Sequence, residues 1–153
     1  MPNLNWSTLT PLQLGRYAEY YAKMEFASYG FEIYTSEIDD HGVDFVMKRG
    51  NGNFYEVQVK SLRESNSGNY VFVSKDKLDI NDDKKLVCFI HFRVNQFPFV
   101  YIIPTSVWHQ PNYIFVSRDY INKKSKPEWG INYSKKNRNE LQPYLLETFI
   151  INL

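Results

Sequence analysis

Cysteine, histidine and long apolar runs are scarce in this chain, and each scarcity removes a class of protein. The 153 residues include one cysteine, Cys88, and three histidines, so neither a disulfide framework nor a zinc knuckle is available. No run of 18 apolar residues occurs, which excludes the usual sequence pattern of a membrane-spanning helix. The N-terminus has no basic segment followed by an apolar stretch. The sequence therefore predicts a soluble, cytoplasmic protein without membrane contact.

Net charge is also nearly absent. The 18 lysines and arginines against 17 acids leave a formal charge of +1. Such a chain has no global positive field that would attract nucleic acid, so any attraction for phosphate must come from local patches. What the chain does have is 43% hydrophobic residues and a high aromatic share of 17%, which suit a sheet-rich protein. Together with the length, they predict one domain over residues 1–153 with one core.

The first strong element is a helix predicted from Thr10 to Gly30. Threonine is a good N-cap and Pro11 suits the first helical turn, whereas Gly30 provides a C-terminal stop. Apolar residues recur at three- and four-residue spacing and form an apolar stripe along this helix. The members of this stripe are Leu12, Tyr17, Tyr20, Tyr21, Met24 and Ala27.

Glu19 lies within this helix, one turn after Gly15. Alone, a helix carboxylate is usually solvated. Gly15 favours a functional interpretation, because a residue without a side chain would let another segment or a phosphate approach the helix closely.

The centre of the sequence predicts a β-hairpin. Its arms are 42–46 and 55–61, and the turn-forming cluster 49–53 lies between them. Side chains alternate across a strand, so Glu56, Gln58 and Lys60 share one face. Asp44 opens the other arm. Acidic oxygens can hold a hard cation such as Mg²⁺, and an adjacent ammonium can stabilise charge on a phosphate. This pattern indicates metal-assisted phosphodiester hydrolysis.

The order of these residues resembles the PD-(D/E)XK nuclease superfamily, and within it the restriction-endonuclease-like and Holliday-junction-resolvase-like families that carry Gln-x-Lys. Gly15 and Glu19 match the helical Gly-x-x-x-Glu, Gly42-Val43-Asp44 matches the Gly-x-Asp, and Gln58-Val59-Lys60 matches the last element. The resemblance covers roughly residues 10–90. The sequence departs from the family motif at two positions. Gln58 stands where most members have an acid, and Val43 stands where they have proline.

The resemblance implies an α/β (α+β) fold with a mixed central sheet flanked by helices. It implies Asp44 as the main ligand of Mg²⁺ or Mn²⁺ and Glu19 as a supporting acid. Lys60 would activate the attacking water and stabilise the pentavalent phosphate. Gln58 would offer a neutral carbonyl oxygen, and Glu56 could restore the missing charge at the metal. Asp40, in the loop before the hairpin, is a reserve ligand.

Further elements follow from the same kinds of pattern. Short strands are predicted at 31–34, 70–73, 86–92, 99–103 and 113–116, a loop at 61–69, a helical turn at 75–78 and a closing helix at 139–149. Cys88 falls inside an apolar run and is predicted to be a buried thiol. His91 and His109 are predicted to be structural, since no metal-ligand spacing surrounds them.

A basic segment, 122–138, is the densest positive stretch. Its cations are Lys123, Lys124, Lys126, Lys135, Lys136 and Arg138. Tyr120, Trp129 and Tyr133 lie among them, and cations interleaved with aromatics fit a phosphate-gripping surface on which bases can stack. A solvated loop is the alternative.

Three functions stay open at this stage. The first is a Mg²⁺-dependent DNA endonuclease of the restriction, defence or DNA-processing type, with RNA as the alternative substrate. The second is a catalytically degenerate nuclease fold that binds nucleic acid without cutting it. The third is an immunity or regulatory module that grips another protein. A homodimer is compatible with each of them.

Overall fold

The structure is a computed structural model that describes residues 1–38, 41–65 and 69–153. Its helices and strands are α1 (Pro11–Ser28), β1 (Glu32–Tyr34), β2 (Phe45–Lys48), β3 (Tyr55–Arg63), β4 (Asn69–Ser74), β5 (Lys85–Phe92), β6 (Phe99–Pro104), β7 (Phe115–Arg118), β8 (Glu128–Tyr133) and α2 (Leu146–Ile151). Short 3₁₀ helices occupy Trp6–Thr8, Lys75–Lys77, Thr105–Trp108 and Arg138–Tyr144. Within the described residues, no helix combines the length and apolar character needed to cross a membrane.

Helix α1 begins where the sequence predicts. The Thr10 hydroxyl accepts a hydrogen bond from the Gln13 backbone N–H at 3.2 Å, and the Gln13 side chain accepts one from the Thr10 N–H at 2.9 Å. This reciprocal capping box satisfies two amide groups that would otherwise lack partners. At the other end, Gly30 adopts a φ of +86°, which suits a glycine after a helix.

The predicted apolar stripe of α1 only partly faces the core, since Tyr17 and Tyr21 pack against it. The buried residues of the helix are Leu14, Ala18, Ala22 and Phe26. Leu12, Tyr20 and Met24 from the predicted stripe are exposed instead. The two alanines have no measurable exposure, and their small side chains let the helix lie close to the sheet while larger residues flank the contact.

Two sheets form the rest of the fold. The five-stranded sheet has the order β1-β2-β3-β5-β6, in which only β3 and β5 pair in parallel. The three-stranded sheet has the order β4-β8-β7 and is antiparallel. The mixed central sheet confirms the predicted α+β class, and the β2–β3 hairpin is present as predicted.

The two faces of β3 meet different cores. Val57 belongs to the core beneath α1, together with Leu86 and Cys88 of β5. Val87 and Phe89 of β5 belong to the core shared with the three-stranded sheet. Because side chains alternate along strands, the even-numbered residues of β3 lie on the second side, away from α1. Glu56, Gln58 and Lys60 therefore lie on the face of the sheet away from α1.

Several boundaries differ from the predictions. Strand β3 continues to Arg63, into the predicted loop, and the rest of that loop includes 66–68, which lie outside the described residues. Strand β7 covers Phe115–Arg118 instead of 113–116. The closing helix is divided into a 3₁₀ helix and α2. Pro143 lies inside the 3₁₀ helix, where its missing N–H and its ring oppose a continuous α-helix.

Candidate functional site

Asp44 lies immediately before β2 and is fixed by the backbone of β3. Its N–H donates to the Val57 carbonyl at 2.9 Å, and its Oδ2 accepts from the Val59 N–H at 2.6 Å. The pairing of Phe45 with Val57 places Asp44 level with Gln58 on the neighbouring strand. The carboxylate is therefore part of the hairpin itself, because a charge-assisted hydrogen bond joins it to the strand that carries Gln58 and Lys60.

Lys60 lies between the two sheets. Its half-buried side chain lines a narrow gap together with Val73, Val87 and Trp129. No ion pair or hydrogen bond joins its ammonium to another side chain within the described ranges. Burial lowers the pKa of Lys60, nearby Asp44 raises it, and Lys77 lowers it. The predicted residues Asp44, Gln58 and Lys60 are thus brought together, with the ammonium close to the carboxylate but not bonded to it.

Gly42 makes room for two side chains at this site. Its φ is +78°, and a Cβ placed on it would lie 3.2 Å from Lys77 Cδ and 3.3 Å from Gln58 Nε2. A larger residue would be strained by its backbone conformation and crowded by both neighbours. Lys77 was missed by the sequence analysis. It follows β4, and no local signal connects that position with the hairpin.

Glu56 lies at the edge of the same face of β3. Its carboxylate forms an ion pair with Lys85, its partner in the parallel register between β3 and β5. Both residues line a narrow cleft that also includes Gly42, Gln58 and Lys77. Glu56 is near the predicted site, but its charge is already balanced by a lysine.

The helical pair Gly15 and Glu19 is less closely connected with the site. Glu19 pairs with Arg16 at 3.0 Å on α1, and α1 packs on the face of the sheet opposite to Gln58 and Lys60. A Cβ on Gly15 would meet nothing within 4 Å, so the described chain makes no close approach there. Among the described residues, no three acids, histidines or cysteines form a group that could hold a metal ion. The reserve ligand Asp40 lies outside the described residues.

The basic segment is divided by a strand. Lys123, Lys124 and Lys126 are exposed in the loop between β7 and β8, and Lys135 and Lys136 are exposed beyond the other end of β8. Lys126 lies 3.4 Å from Asp76, next to Lys77. The basic residues of segment 122–138 therefore lie in two separate places, because residues 128–133 complete the three-stranded sheet.

Two of the three predicted stacking residues of this segment are also engaged in the fold. Tyr133 is 2% exposed, and the half-buried ring of Trp129 lies beneath the Lys75 ammonium at 3.9 Å from its centroid. Arg138 donates to Glu64 at 2.9 Å and to the Tyr133 hydroxyl at 3.0 Å. The sequence predicts open ring faces for stacking, but neither Trp129 nor Tyr133 presents one. Arg138 already has a carboxylate partner.

His91 is buried in a polar cluster of the second core, as its structural interpretation predicts. Arg93 Nε donates to His91 Nδ1 at 3.2 Å, and Arg93 Nη2 donates to the Tyr133 hydroxyl at 2.8 Å. Burial, followed by the positive charges of Arg93 and Arg138, lowers the pKa of His91 to about 3. Cys88 has no measurable exposure, and burial raises the pKa of its thiol, which confirms the predicted core role.

No protein-family model and no curated protein matches the sequence. Solved structures do match the fold. The bacterial homing endonuclease I-Ssp6803I aligns with a TM-score of 0.58 and 16% identity over 93% of this chain and 91% of that chain. The Holliday junction resolvase Hjc of Archaeoglobus fulgidus aligns with a TM-score of 0.49 and 12% identity over 86% and 89% of the two chains. This chain has a restriction-endonuclease-like fold.

Proposed function

We propose that this protein is a divalent-metal-dependent endonuclease that hydrolyses phosphodiester bonds in DNA. The observation that carries the proposal is the meeting of Asp44, Gln58 and Lys60 at one point of the hairpin. The similarity in fold to the homing endonuclease I-Ssp6803I supports DNA as the substrate. Restriction, defence and DNA processing are all compatible roles.

The donor set of the site fits Mg²⁺ or Mn²⁺. Asp44 and Gln58 would hold the ion, and both offer the hard oxygen ligands that these cations prefer. Accepting from the Val59 N–H does not prevent ligation, since an ionised carboxylate has about four lone-pair sites. Mg²⁺ sites commonly use only one or two carboxylates and complete the shell with water and phosphate oxygens. A single aspartate and one amide oxygen therefore suit an ion shared with the substrate.

When bound, such an ion would polarise the phosphate and acidify a water molecule. The residues of the chain have separate tasks. The Val59 N–H holds the Asp44 carboxylate in a fixed orientation. Lys60 offers a half-buried ammonium without an ion-pair partner among the described residues, and in such a partly dehydrated setting it can stabilise negative charge on the pentavalent phosphate. Because burial lowers its pKa, Lys60 releases a proton more readily than an exposed lysine does. In the hydrolysis, the water oxygen would bond to phosphorus and lose a proton to solvent, while the bond to the leaving oxygen breaks and that oxygen gains a proton.

The two remaining acids have weaker positions in this proposal. Glu56 would have to break its ion pair with Lys85 before it could restore charge at the metal. Glu19 lies on α1, on the other side of the sheet, and could reach the metal only around the edge of the sheet. Changing Gln58→Glu supplies the charge directly. We expect this variant to bind Mg²⁺ more tightly in a calorimetric titration, while Glu56→Gln weakens binding only if Glu56 is a ligand.

Plasmid nicking in Mg²⁺ or Mn²⁺ tests the proposal. Asp44→Asn is the informative variant, because the asparagine carbonyl can still accept from the Val59 N–H whereas its lost charge weakens metal binding. We expect the native chain to nick the plasmid and Asp44→Asn to show only background activity with an unchanged melting temperature. Asp83→Asn, at an exposed carboxylate, is the matched control.

Binding without cleavage is the second candidate function. It is favoured by the lack of a three-acid group among the described residues. Salt-dependent DNA binding without metal-dependent nicking would support this candidate and contradict the first. A chain that neither binds nor cuts DNA would favour the protein-interaction role instead.

A further inference from the structure

Lys77 carries a positive charge at the candidate site, and the proposed mechanism gives this lysine no role. It ends the 3₁₀ turn Lys75–Lys77 that follows β4. A Cβ placed on Gly42 would lie 3.2 Å from Lys77 Cδ and 3.4 Å from Lys77 Cβ, so the stem of the lysine packs against the glycine. Gln58 and Lys77 line the same narrow cleft. The side chain is therefore positioned by the loop that leads to Asp44.

Among the described residues, no acidic side chain pairs with Lys77. Its two neighbouring lysines have acidic partners, since Lys75 pairs with Asp119 at 2.7 Å and Lys85 pairs with Glu56. Lys77 is exposed, and within the described ranges it has neither an ion pair nor a side-chain hydrogen bond. It is also close enough to the Lys60 ammonium to act on it electrostatically. Two lysines near each other repel, and a bound anion would relieve that repulsion.

We propose that Lys77 is a phosphate-binding residue, which together with Lys60 holds the nucleic-acid backbone at the candidate site. The inference rests on the proposed function and adds a residue that positions the substrate. Gly42 is the local cause, because its missing side chain leaves the space in which the Lys77 stem lies. A lysine is suited to this task as a compact point charge with three donors on a flexible stem.

A second contact extends this surface. Asp76, next to Lys77 in the chain, lies 3.4 Å from Lys126 in the loop between β7 and β8. Lys77 thus lies between the candidate site and the basic loop. A duplex that contacts both would cross Lys77, which predicts that this lysine contributes to binding even when no cleavage takes place.

Equilibrium binding without metal isolates this contribution. A fluorescein-labelled DNA duplex is titrated in EDTA at several salt concentrations, and the anisotropy gives the log–log slope of affinity against salt. Lys77→Gln should flatten the slope by about 0.9, the value for one lost phosphate contact on duplex DNA. Lys77→Arg should restore the native slope. Lys23→Gln, the same charge change on α1, should leave it unchanged.

The outcomes separate this inference from the proposed function. A native slope in Lys77→Gln, or a native chain that does not bind the duplex, overturns the role of Lys77. A flattened slope with arginine rescue supports that role, even if the native chain fails to nick plasmid in Mg²⁺. If Lys77→Gln nicks plasmid normally and its salt slope is unchanged, the phosphate-binding role of Lys77 is contradicted and the endonuclease proposal stays intact.

Discussion

Among single residues, Asp44 and Lys60 differ in their relation to stability. Asp44 satisfies the Val59 N–H, so part of its role is to support the hairpin. Lys60 opposes folding, because burial disfavours its charged form and lowers its pKa. Residues that reduce stability are typical of functional sites, where activity is kept at the expense of stability.

The first prediction follows from this cost. Lys60→Met keeps the unbranched stem between the sheets and removes the half-buried charge, so we expect a higher melting temperature and plasmid nicking at background level. The increase in melting temperature should become smaller as pH rises toward the ordinary lysine pKa, since the native protein then folds with a neutral amine at Lys60. Calorimetric melts and nicking assays check both parts. A lower melting temperature would show that the ammonium has a stabilising partner.

The second prediction concerns His91. Its pKa falls to about 3 in the folded chain from an ordinary value of 6.5, so the unfolded chain binds the proton between these values. Stability is therefore complete above about pH 6.5 and decreases as pH falls toward 3. Between pH 7 and pH 5, the free energy of unfolding of the native chain should fall by about 2 kcal/mol more than that of the His91→Gln variant. Denaturant unfolding at both pH values measures the difference, and parallel losses in the two proteins would contradict the assignment.

Among the elements, the loop between β7 and β8 has the clearest charge. Its three lysines, Lys123, Lys124 and Lys126, are exposed. The second basic cluster, Lys135 and Lys136, lies beyond the other end of β8, whose six residues span about 17 Å. The two clusters are therefore separate surfaces.

The third prediction tests the loop. Replacing its three lysines together with alanine should weaken binding to all DNA sequences alike and flatten the salt slope by roughly two to three units, about 0.9 for each phosphate contact. The double change Lys135→Ala and Lys136→Ala is the matched comparison and shows whether a duplex extends along β8. An unchanged slope with native affinity in the triple variant would identify the loop as merely solvated.

For the whole molecule, the features that depend on neighbouring residues could be predicted. The cap of α1 requires only Thr10, Pro11 and Gln13, and the β2–β3 hairpin requires only its two arms and turn. Since Asp44 and Lys60 lie on those arms, the core of the candidate site followed from local pattern alone. The fold class followed from the order of the motifs.

The features that depend on distant segments were missed. The parallel pairing of β3 with β5, the three-stranded sheet and the approach of Lys77 to Gly42 join residues far apart in the chain. Hydrophobic periodicity also misplaced the centre of the buried face of α1, because large aromatic residues outweighed Ala18 and Ala22 in the pattern. The order of motifs gives no indication that α1 packs on the face opposite to Lys60. That relation depends on which side of the sheet the helix crosses.

The hydrogen bond between Val59 and Asp44 has a spectroscopic consequence. The Val59 amide proton points at a carboxylate, so its NMR chemical shift should report the charge state of that carboxylate directly. Adding Mg²⁺ should move this resonance, and Asp44→Asn should remove most of the response. A backbone amide in the middle of β3 would thus register metal binding before any DNA is present.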